Sequence, residues 1–419
     1  MKVIVIGSGL LGVATAYYLS EQGHEVTVID RQAGPAQETS FANAGLLHPS
    51  QASPWNHPGI ALQILKWMGK EDSPFLLRPA AIPSLLGWGI RFLRHAQAEK
   101  FQANLKTNTR LANYTMQCLR DFKQEHSFDY RSSALGSMKV FESEHDLEQE
   151  QGLIPLYESL GVICKPVNRE EILSLEPALT ESGSTLAGGI LYPGDETGDA
   201  QLFCQQLSEV ARSNKVSFEF GLTVQSIQST SNRITGLATS RGDYSADAYV
   251  LAAGSYSPQL ASGLRLKLPI RPVKGYSITL DMHDWETRPR IPVIDEQGHV
   301  AITPLGNYLR AAGTAELNGH NTAINHARIQ LIIDRVVARY PFAKGHIRAE
   351  QISPWTGLRP TCADGVPVLG ATRLDNLFLN TGHGHLGWSL AMGSGKLVAD
   401  LISGHEPAIN PAPYAVSRF

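Results

Sequence analysis

The sequence predicts an α/β fold in which a Rossmann-like dinucleotide-binding domain is interleaved with a second, α+β domain. Three observations carry that expectation. Residues 2–6 are β-branched and nearly all apolar, as in a strand buried on both faces of a parallel sheet, and residues 10–22 read as a helix. The turn between them spells Gly7-Ser8-Gly9-Leu10-Leu11-Gly12, the G-x-G-x-x-G pattern in its required place. Residues 25–29 then form a second strand closed by Asp30, which completes one β-α-β unit within the first thirty residues.

The remaining elements follow in order. Gly23 ends the first helix. Residues 201–214 read as a helix, 216–220 as a strand and 223–240 as a hairpin leading to 247–254, where a parallel strand returns to the first sheet. Strands at 366–369 and 377–380 precede a final helix over 386–401. Segments 60–142 and 271–350 match the first unit in neither pattern nor composition. They are assigned to the second domain, which leaves 1–59, 143–270 and 351–419 to the dinucleotide domain.

Composition narrows the function classes. Of 419 residues 42% are hydrophobic and 18% charged, the balance of a globular protein. With 36 basic against 39 acidic residues there is no overall positive field for phosphates, so no nucleic-acid partner is expected. Cys118, Cys164, Cys204 and Cys362 are far apart and form no C-x-x-C pair, so no metal site is expected and a reducing, cytoplasmic compartment fits. The apolar run to Leu19 is broken by Gly7, Gly9 and Gly12 and lacks an A-x-A site, so it is not read as a signal peptide; no membrane span is long enough. Residues 60–101 mix Trp67, Trp88, Lys66, Arg78, Arg91 and Arg94 with apolar residues. That mixture fits either peripheral contact with a membrane surface or ordinary helix packing.

The glycines divide the work at the first turn. Gly7 permits the bend, Gly9 lets a pyrophosphate approach the backbone, and Gly12 lets helix pack on strand, while the helix N-terminus offers N–H groups and a positive dipole. Asp30, eighteen residues beyond Gly12, can accept hydrogen bonds from a ribose and would repel a 2′-phosphate, which leaves NAD or FAD. The small, polar run Thr39-Ser40-Phe41-Ala42-Asn43-Ala44-Gly45 suits the longer cofactor, FAD. At the other end, Gly382, Gly384 and Gly387 surround His383 and His385 before Trp388, where a following helix would aim its dipole at the negative charge of a reduced flavin. A glycine-rich turn that caps a helix is the other reading of that run.

With these blocks in view, the chain resembles the FAD-dependent D-amino acid oxidoreductase family, and within it the bacterial D-amino acid dehydrogenases of the small-subunit type. The resemblance runs over essentially the whole length. It rests on V-I-G-S-G-L-L-G-V-A-T-A-Y-Y-L, E-V-T-V-I-D-R, E-T-S-F-A-N-A-G, D-E-T-G-D at 195–199, A-G-S-Y-S at 253–257, K-G-Y-S at 274–277, W-T-G-L-R-P at 355–360, D-G-V-P-V-L-G and L-N-T-G-H-G-H-L-G-W. It implies a glutathione reductase-like, D-amino acid oxidase-like fold, with the second domain laying a mixed sheet over the flavin. Oxidative deamination of D-amino acids is the implied reaction, with electrons leaving to a quinone or other respiratory acceptor, on the cytoplasmic side or peripherally on the inner membrane. A homo-oligomer is compatible with it. A substrate restricted to D-proline or cis-4-hydroxy-D-proline, or a role as the flavin-binding subunit of a hetero-oligomeric dehydrogenase, are the alternatives.

Carried over by position, Arg359 in G-L-R-P is the arginine that would hold the substrate carboxylate, a two-pronged donor matched to a carboxylate. A structural ion pair is its other reading. His48 falls where relatives place a basic residue against the flavin, or is a solvated loop residue. Tyr256, Tyr276 and His385 could orient the amine or carboxylate, or could be packing residues. The cofactor would be held by Gly7, Gly9, Leu10, Leu11 and Gly12, by Asp30 and Arg31, by Ser40, Asn43, Ala44, Gly45 and Leu46, by Val224, Ala253 and Gly254, and by Gly384, His385, Leu386, Gly387 and Trp388. Gly357 rather than Cys362 occupies the covalent position of the sarcosine oxidases, so non-covalent FAD is expected.

Overall fold

The computed structural model describes residues 1–419. Its first sheet has six strands. Lys2–Ile6 lies between Glu25–Ile29 and Ala248–Leu251, Ser217–Glu219 and Leu377–Thr381 flank these in parallel, and Val368–Ala371 closes one edge antiparallel. Alternation along the first strand shows why its residues are all apolar. Val3 and Val5 pack into a helical layer, whereas Ile4 and Ile6 pack into a cluster beneath a three-stranded meander on the opposite face. The helical layer is built from Leu10–Glu21, Ala200–Ser213, Ala391–Ser403 and Ala98–Glu125. The meander comprises Val224–Ser229, Ile234–Thr239 and Gly242–Tyr244, one strand more than the expected hairpin.

A second, nine-stranded mixed sheet carries the long strands Ile270–Asp281, Tyr308–Leu317 and Ile352–Cys362. One row crosses six of its strands in register: Trp355, Ser277, Ala312, Ala301, Ile294 and Lys139. All six face one large cavity. The back of the sheet packs Tyr276, Ile278 and Leu280 against Ile329, Ile332 and Val336 of the helix His326–Arg339.

Two strand pairings and one helix depart from the expected segmentation. Ile352–Cys362 and Gly188–Tyr192 pair in the nine-stranded sheet although 351–419 and 143–270 were expected in the dinucleotide domain. Conversely, the helix Ala98–Glu125 buries Leu111, Ala112, Met116, Leu119 and Phe122 in the core of the six-stranded sheet. Partner choice here is a long-range property of apolar faces, which local pattern does not report. The last helix also begins at Ala391 rather than 386, because Gly384–Leu386 forms a separate 3-10 turn.

Candidate functional site

The cavity has a volume of about 1400 Å³ and lies between the two sheets. Single ligands usually occupy roughly 300–1,000 Å³, so there is room for an extended cofactor and a second molecule. Four of its walls are the turns that leave the carboxyl ends of parallel strands: those at Gly7, Asp30, Ala252 and His383. That is where open α/β sheets bind ligands.

At the first turn the three glycines are required for different reasons. Gly7 has φ of 109°, and a Cβ there would stand 2.6 Å from the Ala252 carbonyl oxygen. A Cβ on Gly12 would be driven into the Gly7 carbonyl, so this glycine serves packing and does not line the cavity. Beside Gly9 there is space, with only the Ser40 hydroxyl at 3.2 Å. The helix that follows has no side-chain cap, and Leu10 N–H donates to Ser40 Oγ at 3.2 Å. An open glycine at the N-terminus of a helix whose N-cap residue offers no side chain is a cradle for a pyrophosphate.

Asp30 braces this loop as well as facing the cavity. One carboxylate oxygen accepts from Ser8 N–H at 2.6 Å and Ser8 Oγ at 2.7 Å, the other from Gln32 N–H at 2.8 Å. Arg31 donates to Glu38 at 2.8 Å and lays its guanidinium 3.9 Å above the Tyr256 ring, whose other neighbour is His320. Tyr256, expected beside the substrate, is therefore held at the nucleotide end. Ser40, Asn43, Ala44, Leu46, Val224, Ala253, Gly254, Gly384, Gly387 and Trp388 line the cavity with Leu10 and Leu11. Besides Gly12, two expected contacts do not. Gly45 has φ of 71° and abuts Leu305, and Leu386 is 2% exposed in the helical core.

The other end is organised by Arg359. Only three Arg or Lys residues line the cavity. Arg31 pairs with Glu38, and Lys139 lies 3.0 Å from both Glu150 and Glu296, but Arg359 has no carboxylate partner. Its Nη1 donates instead to the Thr314 carbonyl at 2.9 Å, and its guanidinium sits 5.5 Å from the Trp55 ring. Burial lowers its pKa to about 10, so it stays cationic at neutral pH. Trp55 in turn stacks on His385, with ring centroids 4.8 Å apart. Burial lowers His385 to about 3, helped by the fields of His48 and Arg359, and lowers His48 to about 4. Both imidazoles are neutral at pH 7. His48 is 8% exposed, not a solvated loop residue.

Tyr276 is a correction. Its backbone borders the cavity, but its side chain is 1% exposed on the back of the sheet and donates to Glu316, which also receives Lys274 at 3.1 Å and Arg78 at 2.7 Å. Strand alternation decides this: Gly275 and Ser277 face the cavity, so Tyr276 cannot. Trp55, Thr314 and Gly275 were not anticipated. Gly275 lay within a recognised block, whereas nothing local marks Trp55 or Thr314. None of the four cysteines lines the cavity, and Cys362 is buried against Arg418.

A dinucleotide cradle facing a second sheet across a cavity of this size defines an oxidoreductase of the two-domain, dinucleotide-dependent class. The comparisons with known proteins specify which. The chain belongs to the family described as FAD dependent oxidoreductase, whose model matches residues 2–401, and its cofactor is FAD. It is 42% identical over 419 residues to the D-amino acid dehydrogenase of Granulibacter bethesdensis, with full coverage of both chains, and 42% identical with the same coverage to that of Rhizorhabdus wittichii. Among solved structures it is similar in fold to glycine oxidase from Geobacillus kaustophilus, with a TM-score of 0.76, 23% identity and coverage of 100% of this chain and 98% of that one. L-proline dehydrogenase from P. horikoshii gives 0.78, 17% identity and coverage of 100% and 97%.

Proposed function

We propose that the chain oxidises D-amino acids to 2-oxo acids and ammonia, and that Arg359 holds the substrate carboxylate. The observation that carries this reading is the unpaired guanidinium. A half-buried cation that faces the cavity without a counter-ion is one that an anionic ligand can pair. Its planar fork matches a carboxylate, and Thr314 takes only one of its donors.

The neutral imidazoles beside it support an amine substrate. With His48 and His385 uncharged, no second cation opposes an incoming ammonium, and a ring nitrogen can accept a hydrogen bond from the amine. Bound FAD supplies the acceptor for the hydride that leaves the substrate Cα. The ammonium gives up a proton before the hydride leaves, so that the nitrogen lone pair forms the C=N bond of an imino acid, which water hydrolyses to the 2-oxo acid and ammonia. Trp55, with its ring 5.5 Å from the Arg359 guanidinium, gives the carboxylate position an aromatic wall. Identity of 42% over the full length to proteins named D-amino acid dehydrogenase supports a D-configured substrate and an acceptor other than oxygen, such as a quinone.

The test is an anaerobic titration of the FAD-loaded protein with D-alanine and then L-alanine, followed at the flavin band. Bleaching by the D-isomer alone is the expected result. Bleaching by L-alanine alone, or by neither, would refute the reading.

A further inference from the structure

Asp195 is a buried acid with no basic partner. It is 2% exposed, lies outside the cavity wall, and accepts hydrogen bonds from Ser50 Oγ and Ser137 Oγ, each at 2.6 Å on the same carboxylate oxygen. Burial raises its pKa to about 7, and no lysine, arginine or histidine offsets that effect. A carboxyl group buried away from any cation is costly, so what it fastens matters.

It fastens the turn that carries His48. Leu46–Leu47 pairs antiparallel with Glu196–Thr197, Leu46 opposite Thr197 and Leu47 opposite Glu196. His48 and the 3-10 turn Pro49–Gln51 leave this ribbon at the end where Asp195 enters it. Gly198 N–H closes the opposite end by donating to the Gly45 carbonyl at 2.9 Å, and the Ser50 hydroxyl closes the end at Asp195. His48 and Gln51, on either side of Ser50, both line the cavity. Their own side chains have no such fastening, because His48 Nδ1 and Gln51 Nε2 are buried and find no hydrogen-bond partner. The backbone therefore aims the imidazole, through His48 N–H donating to Ser389 Oγ at 3.0 Å and through the tie at Ser50. Ser137 opens the strand Ser137–Phe141, so the tie ends on the nine-stranded sheet rather than on another loop.

We propose that Asp195 is a positioning residue, which fastens Ser50 to the second sheet and so fixes the His48 imidazole where the substrate amine arrives. The inference rests on the reading of His48 given above. An amide oxygen can accept from both hydroxyls as a carboxylate oxygen does, so the role needs the acceptor and not the charge.

Kinetics of the FAD-loaded full chain with D-alanine and a soluble dye test it. Asp195→Ala is expected to lower kcat/KM by about tenfold or more at unchanged flavin content, and Asp195→Asn to stay within about threefold of the parent. In a His48→Ala background, Asp195→Ala should cost less than about twofold, because a residue that acts through His48 then has nothing left to position. Two milder variants keep the test open if Asp195→Ala folds poorly. Ser50→Ala, which frees the turn, should lower kcat/KM by about fivefold, and Ser137→Ala by less than about twofold. Losses that add to that of His48→Ala, an Asp195→Asn variant as impaired as Asp195→Ala, or equal effects of the two serine variants would overturn the proposal while leaving the reading of His48 intact. An unchanged kcat/KM in His48→Ala alone would remove the histidine from the amine site, and the proposal with it.

Discussion

Arg359 lies across Gly275: a Cβ on Gly275 would fall within the guanidinium itself. The glycine lets the arginine cross its neighbouring strand and reach the Thr314 carbonyl on the next one. There the ladder slips, with Lys274 opposite Glu316 but Tyr276 opposite Gly313, so Thr314 and Ala315 share the place facing Gly275. Thr314 adopts φ of 54° in that bulge, a strained conformation worth roughly 1–3 kcal/mol, and it aims the carbonyl at Arg359.

Gly275→Ala should therefore displace Arg359 without touching the cofactor. The expected result is a KM for D-alanine raised by about 10- to 100-fold, equivalent to roughly 1.4–2.7 kcal/mol, with an unchanged flavin spectrum. Steady-state kinetics with a soluble dye measure it, and an unaltered KM would mean that Arg359 need not cross Gly275.

Gly9→Val should fold and purify colourless. Only the Ser40 hydroxyl lies near the new side chain, so the protein tolerates it, but the branched methyls fill the space left for the pyrophosphate. Flavin absorbance per chain, read beside the circular dichroism spectrum, checks both halves of that statement.

Tyr276→Phe separates packing from function. The hydroxyl touches Glu316 on the back of the sheet, so its loss should lower stability by about 1–2 kcal/mol and leave the KM for D-alanine within twofold. Thermal unfolding and kinetics on the same preparation distinguish this from a role at the substrate, which would move KM instead.

Acid should weaken the fold through its buried imidazoles. Burial lowers His383 to about 3 and His48 to about 4, whereas the unfolded chain binds those protons near 6.5. The unfolded state thus binds more protons as pH falls from 6.5 towards 4, and stability is lost over that window and constant above it. Asp195 opposes this, since burial raises it to about 7 and the folded state then holds the extra proton. The two are resolved by comparing His383→Asn with the parent. Their Tm difference should shrink as pH drops from 6.5 to 4, while a pH-independent difference would place an ordinary histidine there.

How much of this was legible in the sequence follows from the range of each interaction. The β-α-β unit, Gly7, Gly9, Gly12 and Asp30 were readable because a turn of fixed geometry needs them within a few residues of one another. Arg359 was readable through its block, yet its lack of a carboxylate partner is a fact about Thr314, 45 residues away. Tyr276 misled because a hydroxyl near a recognised block says nothing about which side of the strand it occupies, whereas Tyr256 lines the cavity from a 3-10 turn with Arg31 across its ring. The same limit governs the domain segments. Strand Ile352–Cys362 is as apolar as its neighbours, and only pairing with Ile270–Asp281 assigns it to the second sheet. Trp55 joins the site by stacking on His385, a residue more than 300 positions downstream.

The central claim is that Arg359 binds the substrate carboxylate, and the most direct measurement compares D-alanine with D-alaninamide in the parent protein and in Arg359→Ala. Truncating one partner of a desolvated charge pair costs about 2–5 kcal/mol, so the parent should favour the acid in kcat/KM by roughly 30-fold or more. The variant should lose most of that preference while keeping its flavin. A variant that retains both the parent's KM for D-alanine and its preference for the acid would contradict the account.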